Sequence, residues 1–367
     1  MYRARRAGRI AGLLASVTLL LGGVAACGST DSRTDSTTDS TTGTAGATAG
    51  PSDAGKNPSD AFPVTIAHKY GSTTITSQPQ RIVTVGLTDQ DAVLALGKVP
   101  VGTTEWVGGY KGAIGPWARD KLGGAAAPTV LKDTGTGPQM EKIAALRPDL
   151  ILAVYSGLTK DQYQTLSKFA PVIAQPKQYN DYGVPWQQQT ETIGKALGKA
   201  QEAATLVQGV EAKIDAAKQA HPEFAGATAV MATPYEGTFV YGSEDVRSRL
   251  LTGLGFTLPK GLDKVIGDSF GANISKERTD LLDQDVAVWI VPDTTAAVAK
   301  LHADKLYGDL DVVKQGREVF IKETSDYGNA VSLSTVLSIP YVLDRLVPQL
   351  AAAVDGKTAT KVAQPAS

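Results

Sequence analysis

Cysteine, histidine and aromatic residues are scarce in this chain of 367 residues, which has one cysteine, three histidines and 6% aromatic residues. A single cysteine cannot form an intrachain disulfide, so the fold must be stabilised without one. His68, His221 and His302 are scattered and lack the spacing of metal ligands. We therefore interpret all three as surface residues and predict no site for a bare metal ion.

An excess of basic residues is also missing. The chain has 36 Lys and Arg against 37 Asp and Glu, a formal net charge of −1. Removal of the four arginines among the first 26 residues would make the charge more negative. A nucleic-acid-binding protein should be basic, so that class is excluded. With 42% hydrophobic and 20% charged residues, the composition excludes disorder throughout, and the length favours two domains.

Long hydrophobic runs are limited to one, Ile10 to Ala26. It is short for a membrane span and follows a basic start, which is typical of a signal peptide over residues 1–26. The segment that ends at Cys27 resembles a bacterial lipobox, so we expect cleavage before Cys27 and its lipidation. An ordinary cleavage site beside a chance cysteine is the alternative. Arg5 and Arg6 leave the export route open, by the Sec or the twin-arginine pathway.

Residues 27–61 are dominated by Ser, Thr, Asp, Gly, Ala and Pro, and no large apolar residue occurs there before Phe62. Such a segment cannot bury enough apolar surface to offset chain entropy, which predicts a flexible tether. Lipid chains on Cys27 would hold the protein on the outer face of the cytoplasmic membrane.

From Phe62 onward the pattern alternates between strands and helices, which predicts parallel or mixed sheets covered by helices. Two such α/β blocks occur, 62–185 and 222–355, followed by a tail at 356–367. The predicted strands are 81–85, 99–102, 149–154, 171–174, 227–232, 238–241, 285–291 and 318–321.

The segment 186–221 separates the two blocks. Apolar residues recur there at steps of three and four, which predicts one helix from Trp186 to about Gln219. At 1.5 Å per residue such a helix would span about 50 Å and could join two lobes. Gly194, Gly198 and Gly209 weaken the pattern, and a helical hairpin is the alternative.

A short pattern recurs in both blocks. Glu141, Leu146 and Asp149 precede one apolar strand, and Glu277, Leu282 and Asp285 precede another with the same spacing. An acidic residue near a helix start is favourable by about 0.3–1 kcal/mol, which accounts for one glutamate but not for a matched pair. The repeat predicts two pseudo-equivalent lobes.

These residues carry a family resemblance. The run Pro79-Gln-Arg-Ile-Val, the triplet Ala95-Leu-Gly, the segment from Met140 to Leu152 and the lipobox are similar to the substrate-binding lipoproteins of ferric-siderophore ABC importers. The resemblance covers Phe62 to about Gly356. It implies two α/β lobes joined by a single long α-helix, a ligand cleft between them, and docking of one glutamate from each lobe onto the permease. By motif position these are Glu141 and Glu277.

The same resemblance implies a ligand that already saturates Fe(III), so the protein needs no metal ligands or cofactor of its own. In α/β sheets ligands bind at the loops after strand ends, where aromatic side chains could contact an organic shell. We expect seven residues to bind the ligand: Trp106, Trp117, Tyr155, Tyr235, Arg247, Phe270 and Tyr327. Trp186 and Trp289 are predicted to be core residues.

The ligand type is constrained by charge. A polyanionic ferric citrate would require several arginines, and the arginines of the first block, Arg81, Arg119 and Arg147, lie away from the favoured loops. A hydroxamate siderophore complex, neutral or cationic, is therefore favoured as the ligand. The protein is expected to be monomeric. Haem and cobalamin receptors remain open as alternatives.

Two other classes of exported protein are a hydrolase and an adhesion lipoprotein. No Ser-x-x-Lys motif of penicillin-binding enzymes occurs in the sequence, and Asp89 and Asp91 at a helix start are interpreted as capping residues rather than an acid-base pair. We therefore predict that the protein is not an enzyme. An adhesion protein would need no ligand cleft, so specific binding of a small molecule distinguishes a receptor from an adhesion protein.

Overall fold

The computed structural model describes residues 61–132 and 137–363. The predicted signal peptide, Cys27 and all of the predicted tether except residue 61 lie outside the described residues. Among the described residues no single helix is both long and apolar enough to cross a membrane. In the same part of the chain, one sharply bent pair of helices has the length and composition of a membrane span when the two helices are taken together.

The first lobe is built on a parallel sheet of five strands with the order β5-β4-β3-β6-β7, preceded by an antiparallel hairpin of β1 and β2. The interior strand β6 reads Leu-Ile-Leu-Ala and is buried on both faces, as expected for a parallel sheet covered on both sides. The elements are β1 (Val64–His68), β2 (Gly71–Ile75), β3 (Ile82–Thr84), α1 (Asp89–Ala95), β4 (Gly102–Glu105), β5 (Thr129–Lys132), α2 (Met140–Ala145), β6 (Leu150–Ala153), α3 (Lys160–Leu166), β7 (Val172–Ala174) and α4 (Trp186–Ala196).

The second lobe has a five-stranded sheet with the order β10-β9-β8-β11-β12, in which only β9 runs antiparallel to its neighbours. Helix α5 (Ala200–Ala220) leads into this lobe. Its further elements are β8 (Ala229–Thr233), β9 (Thr238–Tyr241), α6 (Val246–Gly253), α7 (Leu262–Ile266), β10 (Gly271–Ile274), β11 (Val286–Val291), α8 (Thr294–Ala303), α9 (Lys305–Gly308), α10 (Asp311–Lys314), β12 (Glu318–Lys322), α11 (Asp326–Leu333) and α12 (Ser338–Val354).

The predicted continuous helix over 186–219 is wrong in extent, because the chain breaks between α4 and α5. Gly198 adopts a left-handed φ of 65°. The N–H of Lys199 donates to the carbonyl of Gly194 at 2.8 Å and that of Gly198 to Lys195 at 3.2 Å. This pair of bonds is a Schellman motif, which ends a helix at glycine. Helix α4 packs on α1 and β1 of the first lobe, so α5 alone connects the lobes, with 21 residues spanning about 31 Å.

The two helices on either side of the break pack closely. A Cβ atom added to Gly194 would lie 2.3 Å from the Cβ of Ala203. Only glycine therefore permits this approach of α4 to α5. The chain therefore forms two packed helices at this junction instead of one continuous helix.

Buried apolar side chains of both lobes form one contiguous cluster. It includes Leu150 of the first sheet, Val288 of the second sheet, Val210 on α5 and Ile339 on α12. Trp186 and Trp289 are buried, as predicted. The two lobes therefore share a core along α5 and α12.

The prediction of a surface position for His68 is wrong. The side chain is buried, its Nε2 lies 2.9 Å from Thr73 Oγ1, and its ring contacts that of Tyr163. Burial lowers the pKa of His68 below its usual 6.5, so the ring is neutral at pH 7.

Candidate functional site

The turn after β6 places Tyr155 at the boundary between the lobes. The carboxylate of Asp89 accepts the backbone N–H groups of Val154 at 2.8 Å and Tyr155 at 3.1 Å, and the side-chain amide of Gln189 at 2.7 Å. Burial raises the pKa of Asp89, although these three hydrogen bonds oppose the shift. A buried carboxyl group on α1 thus fixes the backbone that presents Tyr155.

A series of aromatic rings leads from Tyr155 into the second lobe. The ring of Tyr155 lies 6.0 Å from Tyr182, Tyr182 lies 6.0 Å from Phe270, Phe270 lies 5.8 Å from Phe239, and Phe239 lies 5.3 Å from Tyr241. Tilted and edge-on pairs at such distances contribute about 0.5–1.5 kcal/mol each beyond their buried area. Tyr155 and Tyr182 belong to the first lobe and the other three rings to the second.

Tyr182 stands on a loop that the second lobe holds in place. Asn180 donates from its side-chain amide to Glu244 at 2.9 Å, and Arg249 donates from Nη1 to the carbonyl of Gly183 at 2.7 Å. Tyr182 itself has a φ of 61°, a left-handed conformation that is uncommon for a residue with a side chain and that costs free energy. Such local strain is typical of functional sites.

A buried ion pair lies next to these rings. The carboxylate of Asp245 accepts from Nε of Arg247 at 2.7 Å and from Nη2 at 2.6 Å, and the guanidinium stacks 3.9 Å from the ring centre of Tyr241. Burial alone would lower the pKa of Arg247, but the charge of Asp245 and its hydrogen bond raise it above the usual value. Arg247 is therefore a fully charged but paired donor.

A cavity of about 460 Å³ opens between the lobes beside Tyr182. The charged groups of the cavity and of the adjoining start of α6 balance, with four basic and four acidic side chains: Lys69, Lys177, Arg247 and Arg249 against Asp181, Glu244, Asp245 and Asp268. Tyr182 also lines a smaller cavity of about 230 Å³ at the carboxyl ends of the first-lobe strands. This interlobe region can therefore enclose an organic ligand of low net charge.

Polar contacts of Tyr110 and Asp91 also join the lobes. The hydroxyl of Tyr110 donates to Asp326 at 2.6 Å and accepts from Asn329 at 2.9 Å. Burial and the Asp326 carboxylate raise the pKa of Tyr110 to about 12. Asp91 of α1 accepts from Thr335 of the second lobe at 2.5 Å.

Three of the seven predicted ligand-binding residues lie at the boundary between the lobes. Phe270 lines the cavity of about 460 Å³, whereas Tyr155 and Arg247 are buried against the rings of Tyr182 and Tyr241. Trp106 directly follows β4 and is 38% exposed, and Tyr235 follows β8 and is 61% exposed. Both aromatic residues thus lie at strand ends, one on each lobe, with accessible surface for a ligand.

The structure places the other two predicted residues elsewhere. Tyr327 is buried, and its hydroxyl donates to Gln349 of α12 at 2.8 Å, so its side chain is directed into the second lobe rather than towards the cleft as predicted. Trp117 is half-buried, donates to Asp91 at 2.8 Å and contacts the ring of Tyr341 in the second lobe. Its observed role is packing between the lobes.

Sequence reasoning missed Tyr179 and Tyr182, which line the cavity of about 460 Å³, and also Tyr241 and Asp245. The first two follow β7, so the rule of loops after strand ends, which selected Tyr155, would have found them. Asp245 is the N-cap of α6. Its position two residues before Arg247 was the sequence signal that the two side chains could pair.

The repeated glutamate pattern has a structural counterpart. Glu141 lies on α2 and Glu277 in the 3-10 helix Lys276–Leu282, and both are exposed. Each precedes the fourth strand of its sheet, β6 or β11. Asp149 accepts backbone N–H groups just before β3, and Asp285 accepts one just before β8. A hydrogen bond to Ser275 and one to its own backbone lower the pKa of Glu277, so it is charged at neutral pH.

Among residues 61–132 and 137–363, no group of three or more His, Cys, Asp or Glu side chains could hold a metal ion. The two lobes and the aromatic, charge-balanced site between them are those of a protein that binds an organic solute.

Residues 82–324 match the family described as periplasmic binding protein, and the chain belongs to that family. The resemblance noted in the sequence is thereby confirmed, as is the two-lobed α/β fold. Members of the family are substrate-binding proteins, so the protein is not an enzyme.

Two relatives and one solved structure show which proteins of this family the chain is similar to. The putative ABC transporter substrate-binding lipoprotein YhfQ of Bacillus subtilis (strain 168) is 28% identical over 277 residues, which are 72% of this chain and 83% of YhfQ. The Fe(3+)-citrate-binding protein YfmC of the same organism is 27% identical over 265 residues, 72% of this chain and 80% of YfmC. The crystal structure of Streptococcus pneumoniae TIGR4 PiaA in complex with ferrichrome is similar with a TM-score of 0.72 and 29% identity, covering 80% of this chain and 99% of PiaA.

Proposed function

We propose that the protein is an extracytoplasmic receptor that captures a ferric siderophore and delivers it to an ABC permease for iron uptake. The observation that carries the proposal is the interlobe cavity of about 460 Å³, which is lined by Tyr179 and Tyr182 of the first lobe and Phe270 of the second. The relatives whose names include iron complexes support it. A chelated iron needs contacts to its organic shell rather than ligands from the protein.

The ligand is a siderophore of the hydroxamate type. Three hydroxamates carry three negative charges and neutralise Fe(III), so the complex itself adds no charge to a site whose own charges balance. The exposed rings of Trp106 and Tyr235 provide apolar contact, and Arg247 provides a donor for hydroxamate oxygens. Ferrichrome, the ligand in the PiaA structure, supports this choice.

Delivery rests on Glu141 and Glu277, one exposed acid on each lobe. We expect each to pair with an arginine of the permease. Exposed ion pairs are individually weak, about 0–1 kcal/mol. Two of them at fixed positions would still set the orientation of the receptor and speed its encounter with the permease. Lipid chains on Cys27 would keep the receptor near that partner, and the name of YhfQ as a lipoprotein supports the anchor.

Ligand capture is tested by tryptophan fluorescence of the Cys27→Ser protein, titrated with a ferric trihydroxamate, ferric citrate, haem and cobalamin. We expect saturable quenching by the ferric trihydroxamate and none by its iron-free form. Saturation only by haem or cobalamin would replace the siderophore with that ligand, and no saturation by any of the four would refute a receptor of this kind.

Docking is tested separately by iron uptake in cells. The double variant Glu141→Ala, Glu277→Ala should bind ligand normally and lose most of its uptake, and each single variant should lose less. Glu223→Ala, which removes an exposed acid away from both positions, is the matched control. Normal uptake by the double variant would contradict the docking role.

A further inference from the structure

The Asp245 and Arg247 pair has a property that the binding of an iron complex alone does not require. Asp245 is fully buried and Arg247 is 5% exposed. The carboxylate covers two of the three guanidinium nitrogens, Nε and Nη2. Bidentate pairing of this kind is strong and fixes the orientation of both groups.

The pairing is local and therefore permanent in any arrangement of the lobes. Asp245 is the N-cap of α6, where its Oδ1 also accepts the backbone N–H of Arg247 at 2.8 Å. Both residues belong to the first turn of one helix, so opening or closing the cleft does not separate them. The charge of Arg247 is therefore neutralised before any ligand binds.

The neighbouring cation is occupied as well. Arg249 donates to the carbonyl of Gly183, and the charge of Glu244 acts on it. At the mouth of the cavity Lys69 is paired with Asp181 at 2.7 Å. A polyanionic complex would thus meet a carboxylate beside each of these cations. A neutral complex would need only a hydrogen bond from Nη1 of Arg247, the nitrogen that Asp245 does not contact.

We propose that Asp245 determines specificity by neutralising Arg247, so that the interlobe site accepts uncharged ferric complexes and rejects polyanionic ones. This inference rests on the proposed function, because it concerns the same interlobe site. Asp245 acts through Arg247 and needs no contact with the ligand.

The test is the affinity of Asp245→Asn for ferric citrate and for a neutral ferric trihydroxamate, measured by fluorescence titration. Asparagine is also a good N-cap, so α6 keeps its start. With Arg247 unpaired, we expect affinity for ferric citrate to rise about tenfold, equivalent to about 1.4 kcal/mol, while affinity for the trihydroxamate changes less than about threefold. Added salt should weaken the gained binding.

Two further variants isolate the cause. Asp293→Asn changes the N-cap aspartate of α8, which accepts from Ala296 at 2.7 Å, and should leave both affinities unchanged. The double variant Asp245→Asn, Arg247→Gln should lose the gained citrate binding. If Asp245→Asn unfolds because it leaves a buried charge unpaired, Asp245→Ser is used in the same assays, since its smaller side chain leaves room for water beside the guanidinium and its hydroxyl can still cap α6.

The outcomes distinguish a failure of the inference on Asp245 from a failure of the proposed function. A gain in citrate affinity that depends on Arg247 supports the inference. The inference is overturned if folded Asp245→Asn or Asp245→Ser has unchanged selectivity, or if the wild-type protein prefers ferric citrate. Either result leaves siderophore capture intact. A wild-type protein that binds no ferric complex overturns the proposed function, and the inference falls with it.

Discussion

Replacement of Asp91 by asparagine should remove a defined part of the pH dependence of stability. Asp91 is fully buried on α1, and its Oδ2 accepts from Trp117 and from Thr335 of the other lobe. Within the described residues its Oδ1 has no hydrogen-bond partner. Burial raises the pKa of Asp91 from 3.8 to about 6, although the two hydrogen bonds oppose the shift.

The size of the effect follows from the shift in pKa. A group whose pKa is higher in the folded state stabilises the fold below its unfolded pKa, and this contribution is lost as the pH rises through the folded value. A shift of about two units is equivalent to about 3 kcal/mol. About 2 kcal/mol of this is lost by the wild type between about pH 4.5 and about pH 7.5. Asparagine cannot ionise, so Asp91→Asn should not lose it.

The assay is urea unfolding, followed by circular dichroism at several pH values in that range. Relative to the wild type, the free energy of unfolding of Asp91→Asn should rise by about 2 kcal/mol from the acidic to the neutral end. The comparison cancels the contribution of Asp89, whose pKa is also raised. Asp120→Asn, at an exposed site, should follow the wild type. Parallel pH profiles for Asp91→Asn and the wild type would refute the reasoning.

Two further predictions concern ligand contact and the break between α4 and α5. Trp106→Ala should weaken siderophore binding by about 1–3 kcal/mol through lost aromatic contact, whereas Phe169→Ala, with 37% of the side chain exposed against 38% for Trp106, should leave it unchanged in the same titration. Gly198→Ala should lower the free energy of unfolding by about 1 kcal/mol because its φ is 65°. Gly209→Ala should raise it by up to about 1 kcal/mol, since it lies within α5 with open space around it. Equal effects at the two glycines would contradict this account.

Much of the fold was predictable because its central strands are continuous apolar runs. The segments that became β6 and β11 are buried at every position and are longer apolar runs than β3 and β7, which are also fully buried. The hairpin of β1 and β2 was harder to predict because its strands alternate exposed and buried residues over only five positions each. The break at Gly198 depends on a three-residue cap, which an average over a long apolar face conceals.

The candidate site was predictable in position and less so in side-chain direction. Tyr155 and Tyr327 both follow strands, β6 and β12, so the same rule selected both. Tyr155 remains in a turn at the lobe boundary, whereas Tyr327 is already inside α11, which directs its ring towards α12. Tyr182 also follows a strand, β7, but the position of its loop depends on hydrogen bonds with Glu244 and Arg249. These residues are about sixty positions away in sequence, and local pattern cannot show such contacts.

The core that both lobes share along α5 and α12 has a consequence for how the protein unfolds. Because buried side chains of one lobe are continuous with those of the other, loss of packing in either lobe exposes apolar surface that belongs to both. Elements that share buried surface open together as one cooperative unit. We therefore expect a single calorimetric transition, so that a destabilising substitution in one lobe lowers the melting temperature of the whole body.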